Sequence, residues 1–271
     1  MKNIICIIAR TNSKRLERKA LKEVNGISMI ERIITKMKKS KLASDIYICT
    51  SWEEGDQVLV DIAKKHGIKS YCGHPDAPVE RLRKVAEMEN ADNVVRVTGD
   101  NIFTDEVYLD LMFKYHTQNN ADYTRTEFLP LGATAEVIKA QALYKCFETM
   151  PIEFSEYLLM YIFQPKFFDC QVLIPSEIHK HADWSLTVDT PADWTRTEQI
   201  LEGQTGLLNY DEIVKICNGK KIDHLVWDAD GLIKLPGDFF ITYQAFRAEM
   251  EMRIQKSKQV QISHEEYLSA I

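Results

Sequence analysis

The first polar stretch of this chain is crowded with cations. Arg10, Lys14, Arg15 and Arg18 fall within nine residues, Lys19 follows directly, and the small polar Thr11, Asn12 and Ser13 sit among them. Side chains of these types suit a triphosphate. Fixed cations neutralise its charge, while a hydroxyl and free backbone N–H groups bond its oxygens. Arg15 and Lys19 are the expected catalytic pair on the phosphates, with Ala9, Arg10 and Ser13 completing the nucleotide-binding loop. No glycine lies between Met1 and Asn25, so the loop is neither a Walker loop nor a dinucleotide fingerprint. A second chemical feature is Gly99-Asp100. Magnesium is typically held by one or two carboxylates plus substrate phosphates, and a lone aspartate here suits that role. Gly99 would let the backbone pass close to a ligand. Two plainer readings stand beside these: a solvated basic loop, and an aspartate capping the helix that starts near Thr104 to Glu106.

What favours chemistry is where these residues fall. Ile4 to Ala9 form a short, β-branched apolar run, the pattern of a buried and parallel central strand. The basic loop follows it, and ligands of open α/β sheets bind at the carboxyl ends of strands. Beyond Gly26, the spacing of Ile27, Ile30, Ile33, Ile34 and Met37 predicts a helix. Strands are expected over 45–50, 68–71, 93–98 and 121–125, with helices over 58–63, 79–86, 107–115 and 140–149 between and after them. Leu186 to Val188 reads as a short strand, ended by Asp189 and followed by a helix that begins at Pro191 with Thr190 as its cap. Asp193 suits the start of that helix. The alternation predicts an α/β fold, a three-layer Rossmann-like arrangement with a mostly parallel sheet, right-handed crossovers and helices on both faces. A helix over 210–216, a turn at Val226 to Gly231 and an amphipathic helix over 239–255 complete the reading. Asp228 and Asp230 in that turn fail the calcium-loop register, because Phe239-Phe240 stands where a glutamate is needed.

Composition narrows the class. The 271 residues are 45% hydrophobic, enough for a sizeable core. A net charge of -6 argues against a nucleic-acid-binding surface and makes the basic loop stand out. No apolar run approaches the roughly 20 residues of a membrane helix. The six cysteines are scattered with no C-x-x-C pair, so reduced structural thiols and a cytoplasmic setting are expected.

The order Ala9-Arg10, Ser13, Arg15-Leu16, Lys19, Leu21 and then Gly26 before a helix resembles the opening of the cytidylyltransferases. That group includes the acylneuraminate, 3-deoxy-manno-octulosonate and spore-coat-polysaccharide types. The resemblance spans about Lys2 to Glu202. The usual opening has Pro-Gly where this chain has Glu17-Arg18. Thr187-Val188-Asp189-Thr190-Pro191-Ala192-Asp193 matches a family motif whose first aspartate completes the metal site, which implies Asp189 beside Asp100. Arg81 matches an arginine that approaches the nucleotide. Glu136, in a segment resembling the family's Pro-x-Gly stretch, and Glu156 are the implied acceptor-binding residues. Around Glu156 the usual Arg-Glu-His-Val-Thr reads Ser155-Glu156-Tyr157-Leu158-Leu159, which points away from a bulky keto-sugar.

The resemblance implies a GT-A-like nucleotidyltransferase domain over 1–222, with a C-terminal extension over 223–271 expected to be helical and packed on the domain or on a partner subunit. It also implies CTP as donor, Mg2+ as cofactor, a small phosphorylated or phosphonate acceptor, and a homodimer. Residue chemistry alone reaches a magnesium-dependent nucleoside-triphosphate enzyme. The alternatives are a CMP-keto-sugar synthetase, a nucleotide-sugar-dependent glycosyltransferase of the same fold, and a non-catalytic nucleotide-binding subunit.

Overall fold

The computed structural model describes residues 1–13, 15–226 and 231–271. Lys14 and the turn around Asp228 and Asp230 lie outside the described residues. The chain opens with β1 (Asn3–Ile8), and after the basic loop a two-strand ribbon follows, β2 (Glu23–Val24) and β3 (Ile27–Ser28). Then come α1 (Met29–Met37), β4 (Asp45–Ser51), α2 (Gln57–Lys65), β5 (Lys69–Gly73), α3 (Pro78–Glu89), β6 (Asn93–Thr98) and α4 (Glu106–Gln118). The middle of the chain holds β7 (Tyr123–Thr126), β8 (Glu136–Lys139), α5 (Ala140–Thr149), α6 (Leu158–Ile162) and β9 (Cys170–Ile174). Next are α7 (Pro191–Leu201) and α8 (Tyr210–Gly219), and the end is β10 (Leu232–Leu235), β11 (Phe239–Thr242), α9 (Tyr243–Gln255), β12 (Lys258–Gln261) and α10 (His264–Ala270).

Eight strands form one sheet in the order β12-β9-β7-β8-β6-β1-β4-β5. β1 is central, flanked in parallel by β4 and β6. Every pairing in this sheet is parallel except those of β8, which runs antiparallel to β6 and β7. The period of two along β1 sends Ile5 and Ile7 to one face and Ile4 and Cys6 to the other. Ile5 and Ile7 join a core with residues of α1, α2, α4, α7, α8 and α10. Ile4 and Cys6 join a second core with residues of α3, α5, α6 and α9. Both faces of the strand are covered, which is why its run is continuously apolar. The expected three-layer, mostly parallel arrangement is what the chain adopts.

Three segments differ from expectation. Leu186 to Val188 is not a strand: Leu186 N–H donates to Leu131 O at 2.7 Å and Val188 N–H to Asp100 O at 2.9 Å, so the segment is tied to loops rather than to a ladder. The helix expected from Phe239 begins later. Phe239-Phe240-Ile241-Thr242 is aromatic and β-branched, pairs with β10 as β11, and gives way to α9 where Thr242 caps it by accepting from Ala245 N–H at 3.2 Å. The stretch after 222 is helical in α9 and α10, but it also supplies β12, which pairs in parallel with β9 at the edge of the main sheet. Lys258-Gln259-Val260-Gln261 carries one apolar residue, so its strand has no hydrophobic signature.

Candidate active site

Where β1 ends, its chain is pinned before it becomes the basic loop. Thr11 donates from its N–H and its hydroxyl to Asp56 Oδ1, at 2.6 and 2.8 Å, and Ser51 Oγ donates to Asp56 Oδ2 at 2.5 Å. Asp56 is fully buried. Burial pushes its carboxyl up, but the hydrogen bonds from Ser51 and Thr11 outweigh that and hold it below its ordinary value. The loop then turns at Arg18, which sits in the left-handed region at φ 48°, ψ 33°. This is the position at which the resembling family has glycine. The 3-10 turn that follows, Lys19–Leu21, carries Lys19 into the crevice.

Opposite, Gly99 lies against the end of β1. Its N–H donates to Ile8 O at 2.8 Å, and a Cβ on it would stand 2.8 Å from Ala9 Cβ. The close approach that requires glycine is therefore to the neighbouring strand end rather than to a ligand. Asp105, not Asp100, caps α4, accepting from Tyr108 N–H at 2.8 Å. That frees Asp100 to point into the crevice. Asp189 is brought beside it by two contacts. One is the Val188 N–H to Asp100 O bond. The other is Gly132, at φ +95°, where a Cβ would meet Thr187 N at 2.5 Å. Asp193 then closes a capping box with Thr190 at the head of α7, as its position suggested, and pairs with Arg196 at 2.8 Å.

The charges meet at one point. Lys19 Nζ lies 3.1 Å from Asp100 Oδ2 and 2.6 Å from Asp189 Oδ1, and Arg15 Nη2 lies 3.0 Å from Asp189 Oδ2. Burial pulls the Lys19 ammonium down, but the carboxylates of Asp100 and Asp189 outweigh it and leave its pKa above the ordinary lysine value. Lys19 is therefore charged throughout the neutral range.

These groups line a cleft of about 820 Å³, within the roughly 300–1,000 Å³ of small-molecule sites. Ala9, Arg10, Ser13, Arg15, Lys19, Asp100 and Asp189 all face it. Arg81 lines it from beneath: it is 2% exposed, donates from Nη1 to Cys49 O at 3.1 Å, and its Nε has no hydrogen-bond partner among the described residues. Arg10 Nη1 reaches Asp76 Oδ1 at 3.3 Å near the rim, and Glu156 is exposed on the same cleft. Ser155 does not face it: it is buried and accepts from Val79 N–H at 2.9 Å, fixing the first turn of α3.

Glu136 departs from expectation. It begins β8, is buried, and does not line the cleft where an acceptor would bind. It accepts from Arg96 Nη1 and from the Tyr123 hydroxyl, each at 2.5 Å. Arg96, on β6, is the residue of this pair that reaches the cleft. Burial raises the Glu136 carboxyl, but Arg96 outweighs it and the net shift is downward, so the pair is ionic. Arg96 was not anticipated. The available signal was an arginine inside the otherwise apolar strand Val94 to Val97. Asp56 gave no signal, since its partners lie forty-five and five residues away.

Residues 4–222 match the model of a family described as cytidylyltransferase. The chain belongs to the cytidylyltransferase family. It is therefore an enzyme of the nucleotidyltransferase class. Among its relatives, an uncharacterized protein of Methanocaldococcus jannaschii is 32% identical over 72% of this chain and 81% of its own. Spore coat polysaccharide biosynthesis protein SpsF of Bacillus subtilis is 28% identical over 80% of this chain and 95% of its own. A cytidylyltransferase structure from Leptospira borgpetersenii superposes with a TM-score of 0.75 at 23% identity, covering 81% of this chain and 94% of that one. The CMP:2-keto-3-deoxy-manno-octonic acid synthetase, solved with CTP, gives 0.60 at 13% identity over 75% of this chain and all (100%) of its own. Both superpositions agree with the cytidylyltransferase fold. No helix among the described residues is long and apolar enough to cross a membrane.

Proposed function

We propose that this cytidylyltransferase uses CTP to transfer a cytidylyl group to a small acceptor bearing a phosphate or phosphonate, with release of pyrophosphate. The observation that carries this reading is the set Arg15, Lys19, Asp100 and Asp189, joined by ion pairs at the carboxyl edge of the sheet. In the mechanism, the triphosphate lies along the loop from Ala9 to Lys19. Arg15 and Lys19 neutralise charge as it develops on the phosphates. An acceptor oxygen attacks the α-phosphorus. A new P–O bond forms, the α–β bridging bond breaks, and its electron pair leaves on pyrophosphate. A phosphate or phosphonate acceptor is already ionised at neutral pH, so no general base is required. Positioning and charge neutralisation supply the catalysis.

Magnesium fits the donor set. Asp100 and Asp189 offer hard carboxylate oxygens that converge on one cationic point, now taken by Lys19 Nζ, and a triphosphate supplies the remaining oxygens. When bound there, the ion would neutralise phosphate charge and orient the donor. Glu156 is our candidate for polar groups of the acceptor. A second acceptor class is favoured by one observation: Arg96 reaches the cleft and could meet an acceptor carboxylate, as a keto-acid sugar carries.

The test is pyrophosphate release with CTP, Mg2+ and a panel of small sugar and polyol phosphates, small phosphonates, sialic acid and 3-deoxy-manno-octulosonate. Turnover of a small phosphate or phosphonate supports the first reading. Turnover confined to the keto-acid sugars replaces it with the second. A requirement for a nucleotide sugar in place of CTP overturns both.

A further inference from the structure

Outside the residues that line the cleft, three side chains from distant parts of the chain converge. His179 ends a 3-10 turn (Glu177–His179), Asp211 is in the first turn of α8, and His264 is the first residue of α10. Their donor atoms lie within 4.8 Å of one another, and among the described residues no other trio of His, Cys, Asp or Glu comes as close. Asp211 Oδ1 is 2.9 Å from His264 Nε2 and 3.4 Å from His179 Nε2. We propose that His179, Asp211 and His264 form a binding site for a zinc-type divalent transition metal, which clips the C-terminal segment to the nucleotidyltransferase body.

The donor set favours such an ion. Two imidazole nitrogens and one carboxylate oxygen suit zinc and its neighbours and are poorly matched to magnesium. Metal–ligand bonds of about 2.0–2.2 Å in a tetrahedral site place donors about 3.3–3.6 Å apart; the 3.4 Å pair falls in that range, and the 2.9 Å pair would open by a few tenths of an ångström on binding. The 3.4 Å separation is long for a hydrogen bond and ordinary for two ligands of one ion. Two of the three ligands are also held from behind. His179 Nδ1 lies 2.8 Å from the Tyr108 hydroxyl, the outer partner that fixes a ligating ring, and Lys215 Nζ lies 2.6 Å from Asp211 Oδ2, leaving Oδ1 for the ion. The rings of Tyr108, Tyr210 and Tyr267 pack against His179 and exclude water from that side. The His264 side chain is 35% exposed, which gives an entry path and room for a water as fourth ligand.

The placement gives the ion a task. The family match ends at residue 222, and His264 lies beyond it, while His179 and Asp211 lie within it. An ion shared by the three ties α10 to the body independently of β12.

The test uses the full chain, stripped with chelator and returned to excess Mg2+ so that the cleft carboxylates do not report. Titration with ZnCl2 is followed by calorimetry and by thermal melting. We expect one zinc per chain and a melting temperature raised by several degrees. His264→Gln lies at a partly exposed helix start and should fold normally. It should bind zinc at least about tenfold more weakly and lose the rise. Asp211→Asn should do the same. Absence of saturable one-to-one binding, or binding unchanged in both variants, overturns the proposal.

Discussion

Lys19 stands between two carboxylates that would otherwise repel, and this makes it the residue on which the cleft's charge balance turns. Replacing it with alanine removes a cation that the proposed mechanism places on the reacting phosphates. We expect kcat for pyrophosphate release to fall by about 10²–10³, the scale for loss of one transition-state donor. A rate within threefold of wild type would show that Lys19 only pairs with the aspartates. Arg18 makes a different claim. It holds a left-handed backbone without the glycine that suits it, at a cost of about 1–2 kcal/mol. Arg18→Gly should therefore be neutral to stabilising, since the relief offsets the greater freedom glycine gives the unfolded chain. A drop of several degrees in melting temperature would mean that the side chain, not the turn, is what matters there.

Among the elements, the segment that carries Asp189 depends on backbone fit. Gly132 combines a positive φ with a neighbour that leaves no room for a Cβ, whereas Gly203, at φ +73°, has open space around it. Gly132→Ala should destabilise by more than about 2 kcal/mol and also depress kcat by moving Asp189, while Gly203→Ala should cost about 1 kcal/mol and leave kcat alone. Equal effects of the two on melting temperature would contradict this account of how the segment is held. The same segment marks where sequence reading stopped. β1, β4 and β6 were readable as short, near-continuous apolar runs, and the helices between them by the helical spacing of their apolar residues. The seat of Leu186 to Val188 was not, because it is fixed by single bonds to Leu131 and Asp100, which no local pattern encodes. The basic loop and both aspartates were readable because charge follows a buried strand or a motif. Glu136 misled, because a carboxylate paired behind Arg96 looks in sequence like one that faces a ligand. The His179, Asp211 and His264 cluster joins residues too far apart for spacing to reveal.

At the scale of the whole molecule, buried neutral histidine sets the acid limit of the fold. His116 is packed between Thr124 Oγ1 and Asn93 Oδ1, at 2.8 and 3.1 Å, and burial lowers its pKa from 6.5 to about 4. Between those values the unfolded chain binds the extra proton and the folded chain does not. Stability is therefore full above about pH 6.5 and is lost as pH falls toward 4, by about 3 kcal/mol from this residue. Urea midpoints measured from pH 7.5 to 4 should show that decline, and His116→Gln should reduce its slope, leaving the part due to the buried His179; an unchanged slope in the variant would remove His116 as a source. The whole molecule also brings together the two aspartates, from loops 89 residues apart in sequence, at one edge of one sheet. The central claim is that these two carboxylates serve cytidylyl transfer from CTP. It is tested by following pyrophosphate release from CTP with a working acceptor at saturating Mg2+, in wild type, Asp100→Asn and Asp189→Asn, with circular dichroism to confirm folding. The account predicts turnover by wild type and a loss of at least about a hundredfold in each folded variant. Near-normal release by either variant would contradict it.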